Sequence, residues 1–237
     1  MFRTMTKGAA FSALSVLSAA AIVATFQVST GANGVAVPPS GPSASRVLTP
    51  DEMAVEAYNS GIGHRDRALK ADKDAAKEKK DTDRVKGEKK ARDEYDRALK
   101  DFKKAADLNP KMPQAFNGMG FSYRKMGDYS KALENYDRAL ELNPQFLDAI
   151  EYRGEAYLGL NRLDDAKKAY LALFAADRKQ ADALMKAMTE FVAKRKTDPA
   201  GLDPAALAAF ESWIGERSGV AEQTRPMALN HLSSSWQ

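Results

Sequence analysis

The chain has 237 residues, 36 basic and 32 acidic side chains, a formal net charge of +4, two histidines and no cysteine. The absence of cysteine excludes disulfides, thiolate metal sites and lipid attachment through a thiol. Two histidines are too few for a zinc or nucleophile site, and nearly balanced charge leaves no large field to steer the chain toward nucleic acid.

Arg3 and Lys7 precede an apolar run from Ala9 to Val28, and small residues follow at Ala32 and at Gly34-Val35-Ala36. A basic start, an apolar middle and a small-residue exit are the pattern of a secretory signal, here over residues 1–36. The expectation is an exported, periplasmic protein. The alternative keeps the run as an inner-membrane anchor, although its Ala and Ser content makes a poor span. Only if this segment stays uncleaved is a membrane among the expected partners. Loss of residues 1–36 removes two basic residues and no acid, so the net charge falls from +4 to +2.

Residues 37–50, rich in Pro, Ser and Gly, predict a flexible spacer. A helix is expected to open near Thr49-Pro50-Asp51-Glu52, with Thr49 or Asp51 as its cap and Pro50 in its first turn. The stretch 51–112 predicts an extended hairpin with helices over about 52–78 and 84–108. Asp81-Thr82-Asp83 would form its tip, and Thr82 or Asp83 would cap the returning helix. Gly87 costs a helix about 1 kcal/mol relative to Ala, so the return is expected to start after it. Ala68, Leu69, Ala75 and Ala76 are expected to face Val85, Ala91 and Tyr95. Residues 65–104 carry sixteen basic and eleven acidic side chains, which reads as a solvated surface laced with local pairs.

From Pro113 the sequence becomes periodic. Phe116, Met119, Gly120 and Tyr123 form one helical stripe, and Tyr129, Ala132, Leu133, Tyr136, Ala139, Leu140 and Leu142 form a second. With a period of 34 the pattern returns as Ile150, Gly154 and Tyr157, then Leu163, Ala166, Tyr170 and Leu173. Leu108-Asn109-Pro110 and Leu142-Asn143-Pro144 close successive blocks with the same spacing. Gly120 and Gly154 are expected to face Ala132 and Ala166, because small side chains let two helices approach closely. Upstream only the second half of a unit is in register, from Tyr95 to Pro110. The opening helix of that unit is displaced, and Met53, Ala54, Ala57, Tyr58, Gly61 and Ile62 are its best candidates.

These residues resemble tetratricopeptide repeats. The family pattern of an aromatic, Leu-Gly, Tyr, Ala, aromatic, Ala and Pro fits 113–146 at nearly every position, with Met119 for Leu. Residues 147–180 depart from it at Arg153, Leu173 and Arg178, and Arg153 is read first as an ion-pair partner. The resemblance implies an all-α, short solenoid of antiparallel helix pairs. The charged hairpin lies on its N-terminal side, with non-repeat capping helices over 181–222. Leu184, Met188, Phe191 and Val192 mark a helix at about 179–195; Leu207, Phe210, Trp213 and Ile214 mark the last one. Residues 223–237 are expected to be a disordered tail.

The resemblance also implies function: an interaction protein that grips a protein or peptide segment in a concave groove lined by the first helix of each pair. Projected onto this sequence, that groove takes Asn117, Phe121, Arg124, Lys125, Glu151, Glu155 and Leu158. Some members clamp a partner's C-terminal carboxylate with Lys, Asn and Arg; here Glu151 and Glu155 would repel one. In the structural alternative, Arg124 or Lys125 pairs with these glutamates across adjacent repeats. The rival function is a membrane-tethered envelope assembly factor acting through the hairpin and the cap. No catalysis, cofactor, metal or nucleic acid is expected. His64 and His231 read as solvent contacts. A calcium loop at Asp81-Thr82-Asp83 fails, because Lys86 and Arg92 stand where the glycine and the last acid belong.

Overall fold

A computed structural model describes residues 47–233, with side chains to 224. The predicted signal and most of the spacer lie outside the described residues, as does the end of the tail.

Eight helices follow one another among the described residues: α1 (Pro50–Ala75), α2 (Asp81–Leu108), α3 (Pro113–Lys125), α4 (Tyr129–Leu142), α5 (Leu147–Gly159), α6 (Leu163–Ala176), α7 (Arg178–Thr197) and α8 (Pro204–Ser233). Consecutive helices pack against each other along the chain, giving a solenoid of pairs. In each stacked unit the short connection forces its two helices antiparallel.

Local chemistry fixes most of the boundaries. Thr49 accepts from the Glu52 N–H, and the Glu52 carboxylate accepts from the Thr49 N–H, with Pro50 in the first turn. This reciprocal cap satisfies two donors that a helix start leaves bare. Gly127 at the α3–α4 turn has a φ of +85°, and Asn161, one repeat later at the α5–α6 turn, has a φ of 57°. Glycine adopts that left-handed conformation freely, and asparagine is among the few side chains that tolerate it.

The closures share one hydrogen bond. The Lys111 N–H donates to Asn109 Oδ1 at 3.0 Å and the Gln145 N–H to Asn143 Oδ1 at 3.1 Å. In the third closure the Lys179 N–H donates to Asp177 Oδ1 at 2.8 Å. Asp177 stands one repeat after Asn143 and makes the same side-chain bond, but it caps α7 directly, so that helix begins at once, whereas α3 and α5 begin four residues after their asparagines. Arg178 instead begins α7, with its guanidinium 3.3 Å from the Phe174 ring centroid.

Phe102, Tyr136 and Tyr170, which recur at the repeat period, are fully buried in successive second helices. The glycines pack differently from expectation. A β-carbon on Gly120 would meet the Tyr136 ring at 2.6 Å, and one on Gly154 would meet Leu184 at 2.6 Å and Ala169 at 3.3 Å. The tightest contacts there are large side chains lying over glycine, rather than the Ala132 and Ala166 expected.

The hairpin differs from expectation at its tip. The turn is at residues 76–80, and Asp81-Thr82-Asp83 already belong to α2, whose N-cap Lys80 makes no side-chain cap bond. Carboxylates at Asp81 and Asp83 suit the positive end of the helix dipole instead. Gly87 lies inside α2, where a β-carbon would stand 2.7 Å from the Ala75 β-carbon. It marks the close approach of the two helices, and that contact offsets its poor helix propensity. Ala68, Ala71, Ala75, Ala91 and Tyr95 are buried between them; Leu69, Ala76 and Val85 are exposed, which corrects their placement inside.

At the other end, Leu184, Met188, Val192, Phe210 and Ile214 join one core with Leu158, Tyr170 and Leu173. The expected loose tail is helical as far as Ser233. Thr224 ties it down: its hydroxyl donates to the Val220 carbonyl at 2.8 Å and accepts from Arg178 at 3.2 Å.

Candidate functional site: the face of the first helices

The first helices of successive pairs pack on one another, α1 with α3, α3 with α5 and α5 with α7, more closely than the second helices do, where α6 and α8 meet only through long side chains such as Tyr170 and Trp213. The stack therefore curves toward α1, α3, α5 and α7, and their shared face is the concave one.

A lattice of rings and guanidinium groups crosses this face. Phe121 on α3, almost fully buried, has the Tyr152 ring of α5 edge-on at 5.3 Å and the Tyr95 ring of α2 at 6.4 Å. The Arg124 guanidinium lies 5.1 Å from the centroids of both Phe121 and Tyr152, and Arg65 of α1 lies 5.8 Å from Phe121. Cations over ring faces gain from the ring quadrupole, more so when water is excluded.

Arg124 also donates to the Tyr136 hydroxyl at 3.3 Å and forms an ion pair with Glu155 across the repeat boundary. Lys125 pairs with Asp72 of α1 at 3.3 Å, not with a glutamate. That carboxylate also accepts from the Tyr95 hydroxyl at 2.7 Å. Burial first, and then the Asp72 bond, push the Tyr95 phenol up; burial does the same to Tyr58 and Tyr152.

Two polar groups are left over. The Asn117 side-chain oxygen is buried and accepts no hydrogen bond. Glu151 is half-buried, and burial, reinforced by Glu155 and Asp148, raises its carboxyl to about 7 against the opposing pull of Arg124. Asp148 on the same helix is engaged, accepting from Gln180 of α7 at 2.6 Å.

The predicted site residues thus separate. Asn117, Phe121, Arg124, Glu151 and Glu155 come together, and Lys125 stands at the hairpin side of the group. Leu158 is 4 % exposed and belongs to the α5–α7 core, so it offers no surface. Tyr58, Arg65, Tyr95, Asp148, Tyr152 and Gln180 take part without having been anticipated. Tyr152 was findable, since it directly follows the projected Glu151. Arg65 was not, because its helix is out of register.

His64 is not a solvent contact. Its Nδ1 lies 2.7 Å from Glu94 Oε2 on the facing helix, and Glu94 also accepts from Arg67 at 3.0 Å and Arg97 at 2.6 Å. Glu94 is 7 % exposed; the His64 bond, and then Arg67 and Arg97, hold its carboxyl down at about 2 against the cost of burial. His231 falls where no side chains are described. Among the described residues no group of three His, Asp or Glu is placed to hold a metal, and no helix is long and apolar enough to cross a membrane.

A search of curated proteins returns no match. Among solved structures, the chain is similar to the second TPR domain of human RPAP3 in complex with an HSP70 peptide, at 20 % identity. That likeness covers 58 % of this chain and 97 % of the other, with a TM-score of 0.44. The first TPR domain of human RPAP3 gives 21 % identity, 62 % and 98 % coverage and a TM-score of 0.43. The Arabidopsis OM64 TPR domain gives 14 %, 55 % and 94 %, and 0.40. Residues 113–146, the unit formed by α3 and α4, match the family model of the tetratricopeptide repeat.

Proposed function

We propose that this chain is an adaptor that grips a protein or peptide segment across the face of α1, α3 and α5, and that it performs no catalysis. One observation carries the reading. In a face otherwise closed by rings and ion pairs, Asn117 keeps a buried acceptor without a donor and Glu151 a carboxyl with no ion pair of its own, Arg124 being held by Glu155. Buried polar groups in a finished interior are normally satisfied. A bound segment supplies what is missing through backbone N–H groups, an amide or a basic side chain. Arg124 is committed to Glu155 and Tyr136, so recognition of a terminal carboxylate is not part of the proposal.

We place the protein outside the cytoplasm, on the signal pattern of residues 1–36; the rival is a retained anchor. The mass of the protein from its own cells distinguishes them, since cleavage near residue 32 or 36 removes the apolar run.

For the groove, a photo-cross-linking amino acid is installed at Asn117, at Glu151 and at the exposed Lys168 of α6. The expected result is one shared partner captured from the first two positions and not from the third. Equal capture from all three, or none from the groove, defeats the reading.

A further inference from the structure

We propose a second docking site, independent of the groove: the basic side of the α1–α2 hairpin where it overhangs α3, which takes an acidic, helix-forming protein segment with one apolar side chain.

The hairpin is longer than its packing requires. Helices α1 and α2 have 26 and 28 residues, twice the 13 and 14 of α3 and α4. Tyr95 packs beside Phe121 near the end of α3, and α2 extends fourteen residues beyond it to Asp81. At 1.5 Å per residue the overhang is roughly 20 Å. Not one side chain between 76 and 90 is buried, so this part adds almost nothing to the core.

Its charge is concentrated. Residues 77–92 hold eight basic and four acidic side chains, a net of +4 that equals the formal charge of the whole chain. Three of the acids are occupied locally: Arg84 pairs with Asp81 and Glu88, and Lys86 with Asp83. Lys79, Lys80, Lys90 and Arg92 make no ion pair among the described residues.

Under the overhang lies a notch of about 400 Å³, lined among others by Val85, Glu88, Lys89, Arg92 and Met126. Glu88 is held by Arg84 and Lys89 by Asp93 at 3.0 Å, and Arg92 makes no ion pair among the described residues. Val85 is 57 % exposed, a large apolar side chain pointing to solvent on a highly charged helix. Asp72, at the back of the notch, is already matched by Lys125 and the Tyr95 hydroxyl. What remains is an apolar floor with a basic rim, complementary to a carboxylate-bearing segment that seats one Leu- or Met-like side chain. The acids at Asp81, Asp83 and Glu88 oppose a flat anionic surface or a nucleic acid backbone and leave room for a partner of patterned charge.

The test uses the full-length protein and a fluorescein-labelled acidic peptide of roughly 20 residues, with glutamates on one helical face and a single central leucine. Anisotropy is expected to show saturable binding. Lys89→Glu with Arg92→Glu weakens it about tenfold or more, and Val85→Asp alone weakens it severalfold. Lys168→Glu with Lys179→Glu makes the same change in net charge on α6 and α7 and leaves it unchanged. All are surface substitutions, and circular dichroism confirms that each variant folds. Three results overturn the proposal: no binding, equal weakening by both charge-reversed pairs, or tighter binding of a DNA oligonucleotide or phosphatidylglycerol vesicles through Lys89 and Arg92. A groove that fails its own cross-linking test leaves this result untouched.

Discussion

Gly61 lies flat against the ring of Phe102: a β-carbon on Gly61 would stand 2.7 Å from two of its ring carbons. Gly118 presses on the same ring from α3, at 2.8 Å by the same measure. In the matching repeat Gly120 meets Tyr136, sixteen residues on, whereas Gly61 and Phe102 are separated by forty-one. The first unit therefore keeps its glycine-on-ring contact across a long insertion, which forms the outer half of the hairpin. The charged hairpin is thus a tetratricopeptide-like pair with both helices doubled in length.

That contact decides the sign of two neighbouring substitutions. At Gly61 an alanine gains about 1 kcal/mol of helix propensity. Its methyl group must displace a ring held on the other side by Gly118, and overpacking of that kind costs about 1–3 kcal/mol. Gly61→Ala is expected to lose about 1 kcal/mol or more on balance. At Gly63 the nearest atom to a new methyl group is the end of Arg67 at 3.5 Å, an ordinary contact. Gly63→Ala should therefore gain up to about 1 kcal/mol. Urea unfolding followed by circular dichroism compares them, and equal shifts would refute the assigned packing.

Arg124 is expected to hold the repeats together more than it serves the groove. Arg124→Met retains bulk over Phe121 and Tyr152 but strips Glu155 of its cation and the Tyr136 hydroxyl of its donor. Breaking a largely buried pair from one side costs about 2–3 kcal/mol when the orphaned carboxylate keeps some access to water. Adding Glu155→Gln should restore part of the loss, because the uncompensated charge is gone. If the double variant is no more stable than the single, the pair has been assigned the wrong role.

The repeat and its register were legible because close packing writes itself into residue type at fixed spacing: Gly120 and Gly154, Tyr136 and Tyr170, the Asn109 and Asn143 closures. Asp177 shows where that reading stops. The sequence lacks the proline there, and the structure replaces the turn by a direct cap: Asp177 ends α6 and opens α7 at the next residue, which the repeat spacing alone does not foretell. Gly87 was misjudged because helix propensity is a local quantity, whereas its use lies in the Ala75 contact across the hairpin. The groove was half legible. One period places Asn117 and Glu151 on the same face, but nothing local reveals that Arg124 is shared between two rings and a carboxylate. The displaced opening helix was recognised from Met53 to Ile62, but Arg65, beyond those residues, was not projected onto the groove. His64 looked idle because its partner Glu94 lies far along the chain, on the facing helix.

Glu94 gives the hairpin an acid limit. Its folded carboxyl titrates at about 2 against an ordinary 4.5, chiefly through the His64 bond. A lowered carboxyl contributes stability that is present above the unfolded value and lost as pH falls from about 4.5 toward 2. Glu94→Gln should therefore cost about 1 kcal/mol at pH 7, allowing for solvent screening, and almost nothing near pH 2. Denaturant melts across this range test it. A penalty independent of pH would mean that Glu94 acts through packing rather than charge.

Glu151 carries the opposite sign. Its folded carboxyl is raised from 4.5 to about 7, first by burial and then by Glu155. Stability attached to the protonated form is complete below the unfolded value and is lost as pH rises through the folded one. Glu151→Gln removes the titration while keeping shape. The variant should match the parent near pH 4.5 and melt later at pH 8, by about 1 kcal/mol after screening. A segment that brings a cation to Glu151 must reverse this, because it favours the charged carboxylate and releases the proton as it binds. Binding to the groove should then strengthen from pH 6 to pH 8 in the parent and stay flat in Glu151→Gln. Thermal melts and titrations with the captured partner read both effects. A parent that binds equally at the two pH values would show that the partner meets this carboxyl without a cation.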